Sequence, residues 1–208
     1  DGKQLTIPPF GFDYFVTENS NGFLAYTDAR QGDAASGNMN LVGFNGISWV
    51  NLGSIPLLQV RKLIVNYFEP FEVRIIRNGD QPFIVLFREN NTIAVLWFDG
   101  VSLQLVADNV PYPYNPTQPF TVTTKTDLCV YNNKLTAYGF GNSLGVIDDP
   151  HSVYQLNGGS FTLLKTVDAS NITLRGVYSD NTRLWAACEV FRADNGVLRS
   201  PVDIIEIK

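Results

Sequence analysis

Histidine is almost absent from this 208-residue chain, which carries His151 alone. A Ser-His-Asp or Cys-His mechanism would have to run through that one imidazole. Cysteine is nearly as scarce: Cys129 and Cys188 form no CxxC pair and no disulfide framework. Each sits inside an apolar run, Leu128-Cys129-Val130 and Ala186-Ala187-Cys188. Buried free thiols are therefore expected, with a bridge between neighbouring sheets as the alternative. Charge is sparse at 17%, and the basic residues are scattered, as in Arg61-Lys62, Arg74 and Arg77. With a net charge of −5 and no basic stripe, a nucleic-acid partner held through phosphates is excluded. No apolar run approaches the ~20 residues of a membrane-spanning helix, so membrane insertion is not expected. Methionine is also missing from the start, where Asp1 stands. Either a longer piece has been cleaved away or the chain is one domain of a larger protein; no signal peptide is visible in it.

What is abundant points to β-structure. Hydrophobic residues make up 45% and aromatics 12%, with Phe 14 and Tyr 9, while Gly 17 and Pro 11 supply turns. Four dipeptides of the Asn/Asp-Gly type recur in one context, at Asp1-Gly2, Asn45-Gly46, Asp99-Gly100 and Asn157-Gly158, their glycines 44, 54 and 58 residues apart. Such dipeptides suit the left-handed positions of a type I′ hairpin turn. Their flanks match: Phe44, Phe98 and Leu156 precede the turns, and Trp49, Leu103, Phe161 and Leu5 follow. Upstream of each lies a second hairpin signal, turning at Asn19-Ser20-Asn21-Gly22, Asn78-Gly79, Asn132-Asn133 and Asp180-Asn181.

The result is four units of four antiparallel strands, so the expected fold is an all-β, four-bladed β-propeller in one domain. Blade 1 covers about residues 12–54, blade 2 about 71–108, blade 3 about 126–167, and blade 4 about 172–208 plus 1–8. The fourth unit runs out after Val202-Asp203-Ile204-Ile205-Glu206-Ile207. Its missing strand is expected at Lys3-Gln4-Leu5-Thr6-Ile7, closing the ring and covering two strand edges.

The segment Phe44-Asn45-Gly46-Ile47-Ser48-Trp49-Val50 resembles the Y-N-G-x-S-W hairpin of kelch-like and sialidase-like propellers. The resemblance implies a fold of the kind used in phage appendages and bacterial surface proteins, and no chemistry. The full Asp-box, Ser-x-Asp-x-Gly-x-Thr-Trp, is absent, and the Gly-Gly pair typical of kelch repeats occurs only in a turn, at Gly158-Gly159.

Candidate functional residues lie in the long connections. Asp148-Asp149-Pro150-His151 places carboxylates beside the imidazole, an arrangement that suits a cation or a proton shuttle, or simply a polar loop before a strand. Asp33, Glu69, Asp148, Asp149 and Asp194 could supply a carboxylate pair, but nothing selects one. Val110-Pro111-Tyr112-Pro113-Tyr114-Asn115-Pro116 sets tyrosines on a stiff, extended backbone, as a stacking platform or as a strap over a sheet edge. Residues 55–69 are apolar enough for an extra strand or a short helix. Long ordered loops gathered at one end of a scaffold usually carry function. The expected contacts are therefore Arg61, Tyr67, Tyr112, Tyr114, Asp148 and His151. The sequence supports a non-catalytic structural or recognition protein, in a virion or outside the cell, meeting other virion or surface proteins. The alternative is a secreted, lectin-like or carbohydrate-active propeller binding glycan. No cofactor and no metal is expected, and no hydrolysis that depends on His151.

Overall fold

The computed structural model describes residues 16–20, 22–27, 37–56, 59, 72–87, 92–111, 128–139, 151–167, 172–190, 192–194, 197–199 and 202–207. Structural statements here concern these residues. Every element they form is a β-strand. The chain divides into two compact units, Asp1–Asn109 and Val110–Lys208.

The first unit holds two four-stranded antiparallel sheets. One runs in the order β1 (Val16–Ser20), β2 (Phe23–Thr27), β3 (Asn38–Phe44), β4 (Trp49–Pro56). The other runs β5 (Glu72–Ile76), β6 (Phe83–Phe87), β7 (Thr92–Phe98), β8 (Leu103–Pro111). The inner strands β6 and β7 are apolar on both parities, and Ile84, Val85, Leu86 and Ile93–Leu96 are all buried. Strands covered on both faces read this way, whereas a strand with one wet face alternates. The outer strand β8 does alternate from Leu103 to Ala107, both buried, with Gln104 and Val106 exposed; Val110, also buried, falls out of that phase after Asn109, whose φ is 52°. One core joins Phe23, Ala25, Met39 and Leu41 of the first sheet to Val73, Ile84, Leu86, Leu96 and Leu103 of the second. Each such side chain, taken fully out of water, contributes about 1.5–3 kcal/mol.

The second unit repeats the pattern once in full. Its four-stranded sheet is β9 (Leu128–Tyr131), β10 (Lys134–Gly139), β11 (His151–Asn157), β12 (Ser160–Val167). Gln155 is buried, and its Nε2 donates to the Tyr131 carbonyl at 2.9 Å, tying β11 across β10 to β9. The next sheet has three strands, β13 (Ile172–Ser179), β14 (Leu184–Val190) and, after a separate small hairpin of β15 (Arg192–Asp194) and β16 (Val197–Arg199), β17 (Val202–Ile207). Cys129, Tyr138 and Val153 of the four-stranded sheet share a core with Leu174, Val177, Leu184, Ala186, Cys188 and Ile207.

Asn181 joins these two sheets at their turns. Its carbonyl accepts from Asn132 N at 2.9 Å, its Oδ1 from Asn133 N at 2.7 Å, and its Nδ2 donates to Asn133 Oδ1 at 2.7 Å. The left-handed conformation this needs, φ 75°, is one that asparagine tolerates better than most residues.

This arrangement bears on several expectations. All-β, antiparallel four-stranded units are present; among the described residues no sheet closes on itself, and the last large sheet has the three strands expected of residues 172–208. The closing strand expected at residues 3–7 lies outside the described residues. The long connection between β14 and β17 contains the β15–β16 hairpin. The turn between β5 and β6 spans residues 77–82, because the last pair is Ile76↔Phe83; Asn78-Gly79 is one part of it and not the whole.

The Asn/Asp-Gly turns also differ in chemistry from expectation. In the turn at residues 45–48 only Gly46 is left-handed (φ 94°); Asn45 precedes it, and Asn45 Oδ1 accepts from Ile47 N at 3.0 Å and Ser48 N at 2.9 Å. Asp99 Oδ1 does the same for Val101 N and Ser102 N, both at 2.8 Å. Asp180 Oδ1 does it for Thr182 N at 2.9 Å and Arg183 N at 2.7 Å. A short side-chain oxygen here replaces a backbone acceptor and leaves a four-residue turn. True two-residue type I′ turns, with both residues left-handed, occur at Asn132-Asn133 and at Gly158-Gly159, one residue beyond the expected Asn157-Gly158.

Candidate functional site

Two regions compete as sites, and they are built differently. The first is the set of long connections. Within each sheet the antiparallel order puts the turns at residues 21–22, 45–48, 77–82, 99–102, 132–133, 158–159 and 180–183 at one end. The opposite end takes residues 28–37, 57–71, 112–127 and 140–150, with the four-residue connections 88–91 and 168–171. Arg61, Tyr67, Tyr112, Tyr114 and Asp148 belong to these connections and lie outside the described residues. His151 opens β11 at that end, its backbone paired with Val167, and its side chain also falls outside the description. The structure therefore brings none of the six expected contact residues into a described cluster.

The second region is the face of β13, β14 and β17 turned away from the core. The registers Tyr178↔Trp185↔Glu206 and Gly176↔Ala187↔Ile204 place these residues in two rows across the sheet. Gly176 and Ala187 have almost no side chain, so the sheet floor there is low. Tyr178, Trp185 and Ile204 stand around it, enclosing a shallow hollow of about 420 Å³. Tyr178 and Ile204 are 67% and 75% exposed, and Val202 beside them is 64% exposed. The sequence held a signal for this face: Val202, Ile204, Ile205 and Ile207 are apolar on both parities, which a strand with one wet face would not need.

At the turn end of the hollow the side chains lock onto one another. The Tyr178 and Trp185 rings stack with centroids 5.7 Å apart, and the Arg183 guanidinium lies 5.1 Å over the Trp185 ring. Asp180 holds that guanidinium at 3.4 Å. The Thr182 hydroxyl and the backbone N–H groups of Arg183 and Thr182 bond the Asp180 carboxylate, and the Arg183 charge adds to them, bringing its pKa from 3.8 to about 2. Asp99 is lowered for the same reason, by the N–H groups of Ser102 and Val101. The polar groups therefore serve the turn and do not converge on the hollow. A small-molecule site needs a few polar groups aimed at the ligand; an apolar sheet face with its charges paired off is the build of a packing surface.

The two carboxylates make the fold pH-sensitive in a defined direction. Both folded pKa values lie below the ordinary 3.8, so the stabilisation each gives is present above that pH and is lost as the pH falls through the folded value, about 2 for Asp180. The melting temperature is expected to drop through that window. Asn45 shows that an amide oxygen serves the same turn, so Asp180→Asn should keep the fold at pH 7 and flatten the acid limb. Thermal melts at pH 7 and pH 2.5 of wild type and variant check this; an unchanged acid limb in Asp180→Asn contradicts it.

Cys129 and Cys188 are buried and form no disulfide, and burial, with Asp203 nearby, pushes the Cys188 thiol above its usual pKa. Among the described residues no group of three or more His, Cys, Asp or Glu side chains could hold a metal, and no helix is long and apolar enough to cross a membrane.

No family model matches the chain, and no curated protein does. Among solved structures it is similar to the NanB sialidase of Streptococcus pneumoniae in complex with 2-[(3-chlorobenzyl)ammonio]ethanesulfonate. That match has 12% identity, a TM-score of 0.38, and coverage of 93% of this chain and 29% of the other. A NanB structure with Optactamide matches at 10% identity with the same TM-score and coverage. The chain thus spans less than a third of these neighbours' length, and likeness at that level assigns it neither a fold nor an activity. Nothing in the comparisons or the site geometry supports a virion role.

Proposed function

We propose that this chain is a non-catalytic recognition domain, a four-bladed β-propeller in which the partner docks at the end where the long connections gather. The observation that carries the reading is the asymmetry of the connections: only short turns at one end of every large sheet, and at the other every connection of ten residues or more, beside the four-residue ones at 88–91 and 168–171. Short turns close strands economically; length kept at one end only, against the entropy of ordering it, favours a binding role. Tyr112 and Tyr114, on a proline-stiffened backbone, suit contact with another protein's surface, since aromatic side chains there lose little freedom on binding.

The propeller reading draws support from the three-stranded sheet. Among the described residues β17 is the edge strand, paired with β14 on one side only, which leaves its other edge for a further strand. Residues 3–7 are the occupant we assign to that edge. Deleting residues 1–9 should then lower the melting temperature of the whole domain, and an unaltered melt would remove this part of the proposal.

The docking end is tested with the double variant Tyr112→Ala/Tyr114→Ala. Cross-linked assemblies recovered from the native source should be lost while the melting temperature stays within a degree or two, as for surface substitutions worth under about 0.5 kcal/mol. A glycan array run beside it separates the lectin-like alternative: retention on glycans that depends on both tyrosines selects it. Loss of assembly on Asp99→Ala or Asn157→Ala, at the short-turn end, overturns the docking proposal.

A further inference from the structure

Two of the chain's five Asn-Gly pairs, Asn45-Gly46 and Asn157-Gly158, sit at equivalent hairpins but are held in opposite ways. Asn45 is exposed, and Gly46 after it is left-handed, with open space where a side chain would be. The Asn45 Oδ1 accepts two backbone N–H bonds, from Ile47 and Ser48. Asn157 is half-buried, and its side chain is tied at both atoms: Lys134 Nζ donates to its Oδ1, and its Nδ2 donates to Thr162 Oγ1 at 2.6 Å and to the Gln155 carbonyl at 3.4 Å.

From this difference we infer that Asn45 is a site of spontaneous deamidation and that Asn157 is protected. In the reaction the Gly46 backbone nitrogen, deprotonated by hydroxide, attacks the Asn45 side-chain carbonyl carbon. A ring C–N bond forms, the bond to Nδ2 breaks, and Nδ2 leaves as ammonia with protons from water. Water then opens the cyclic imide at either carbonyl, giving aspartate or isoaspartate, so one amide and one water become one acid and one ammonia. Glycine leaves the attacking nitrogen unhindered. At Asn157 the leaving amide must first give up its bonds to Thr162 and Gln155, and the swing that brings its carbonyl over Gly158 breaks the bond from Lys134.

The structure also says what each product does. Asp99, in the otherwise equivalent turn Asp99-Gly100-Val101-Ser102, accepts the same pair of backbone bonds. An aspartate at position 45 therefore keeps the turn and adds one negative charge. Isoaspartate lengthens the backbone by one carbon at the point where β3 passes into β4, and so displaces the Phe44↔Trp49 pair.

The test is incubation of the intact protein at mildly alkaline pH, followed by peptide mass spectrometry that resolves aspartate from isoaspartate. Native Asn45 should lose its amide about tenfold or more faster than native Asn157, the factor that one lost hydrogen bond to the leaving group represents. In denaturing urea the two rates should converge. Equal rates in the native protein, a faster Asn157, or a ratio that urea leaves unchanged would overturn the inference. Asn45→Asp should melt at the wild-type temperature; a clear loss would show that the turn does not accept the product.

Discussion

Leu96→Ala is expected to destabilise the protein by about 2–5 kcal/mol, and Leu163→Ala by less than about 0.5 kcal/mol. The two substitutions remove the same atoms. Leu96 lies in the inner strand β7, fully buried, paired with the equally buried Ile84 and packed in the core that joins both sheets of the first unit. Its removal loses the transfer free energy and leaves a cavity that close-packed neighbours fill only in part. Leu163 lies on the outer strand β12 with 59% of its surface in water, so there is little to lose. Urea melts with an unchanged slope check the pair. Similar losses for both would mean that β12 is covered and β7 is not the centre of its unit.

Gly53→Ala is expected to cost about 1–3 kcal/mol, the range for forcing atoms into a packed interior, while Gly43→Ala costs far less. A Cβ at Gly53 would sit 2.9 Å from the Leu103 nitrogen and 3.0 Å from its Cβ. The obstacle is the backbone of β8, which cannot move without shifting a strand. A Cβ at Gly43 would meet Leu52 Cδ1 at 2.8 Å, closer still, but that atom ends a half-buried side chain that can change rotamer. Replacing glycine also removes freedom from the unfolded chain, worth about 0.4–1 kcal/mol in the opposite direction. The net at Gly43 should therefore be near zero. Equal losses at both positions would show that distance alone, not the stiffness of the neighbour, sets the cost.

The strands were legible in the sequence because their causes are local. Runs such as Phe83-Ile84-Val85-Leu86-Phe87 and Ile93-Ala94-Val95-Leu96 can be only strands or buried helix, and turn residues at both ends cut them to strand length. The hairpin positions followed from the same punctuation. Turn chemistry was less legible. Asn45-Gly46 and Asn157-Gly158 are the same dipeptide, yet the first makes a side-chain-capped four-residue turn and the second lends one glycine to a two-residue turn with Gly159. Which one forms depends on where the strand registers stop, and that is fixed by pairing beyond the dipeptide.

The candidate surfaces divide in the same way. Connection lengths can be counted along the chain, so the asymmetry between the two ends of the sheets was visible from Asn45-Gly46, Asp99-Gly100 and the long runs between them. The hollow beside Trp185 was not, because Gly176, Ala187 and Ile204 come from three strands and meet only through register. Nor could the sequence say that Asn181 would join the turn of β13 and β14 to that of β9 and β10, since its partners are about fifty residues away. By itself the sequence determined the strand content and the turn sites, both of which rest on neighbours within a few residues. Register, the burial of one isoleucine against the exposure of the next, and the pairing of Arg183 with Asp180 over Trp185 were decided by tertiary structure, because each depends on which distant strand lies alongside.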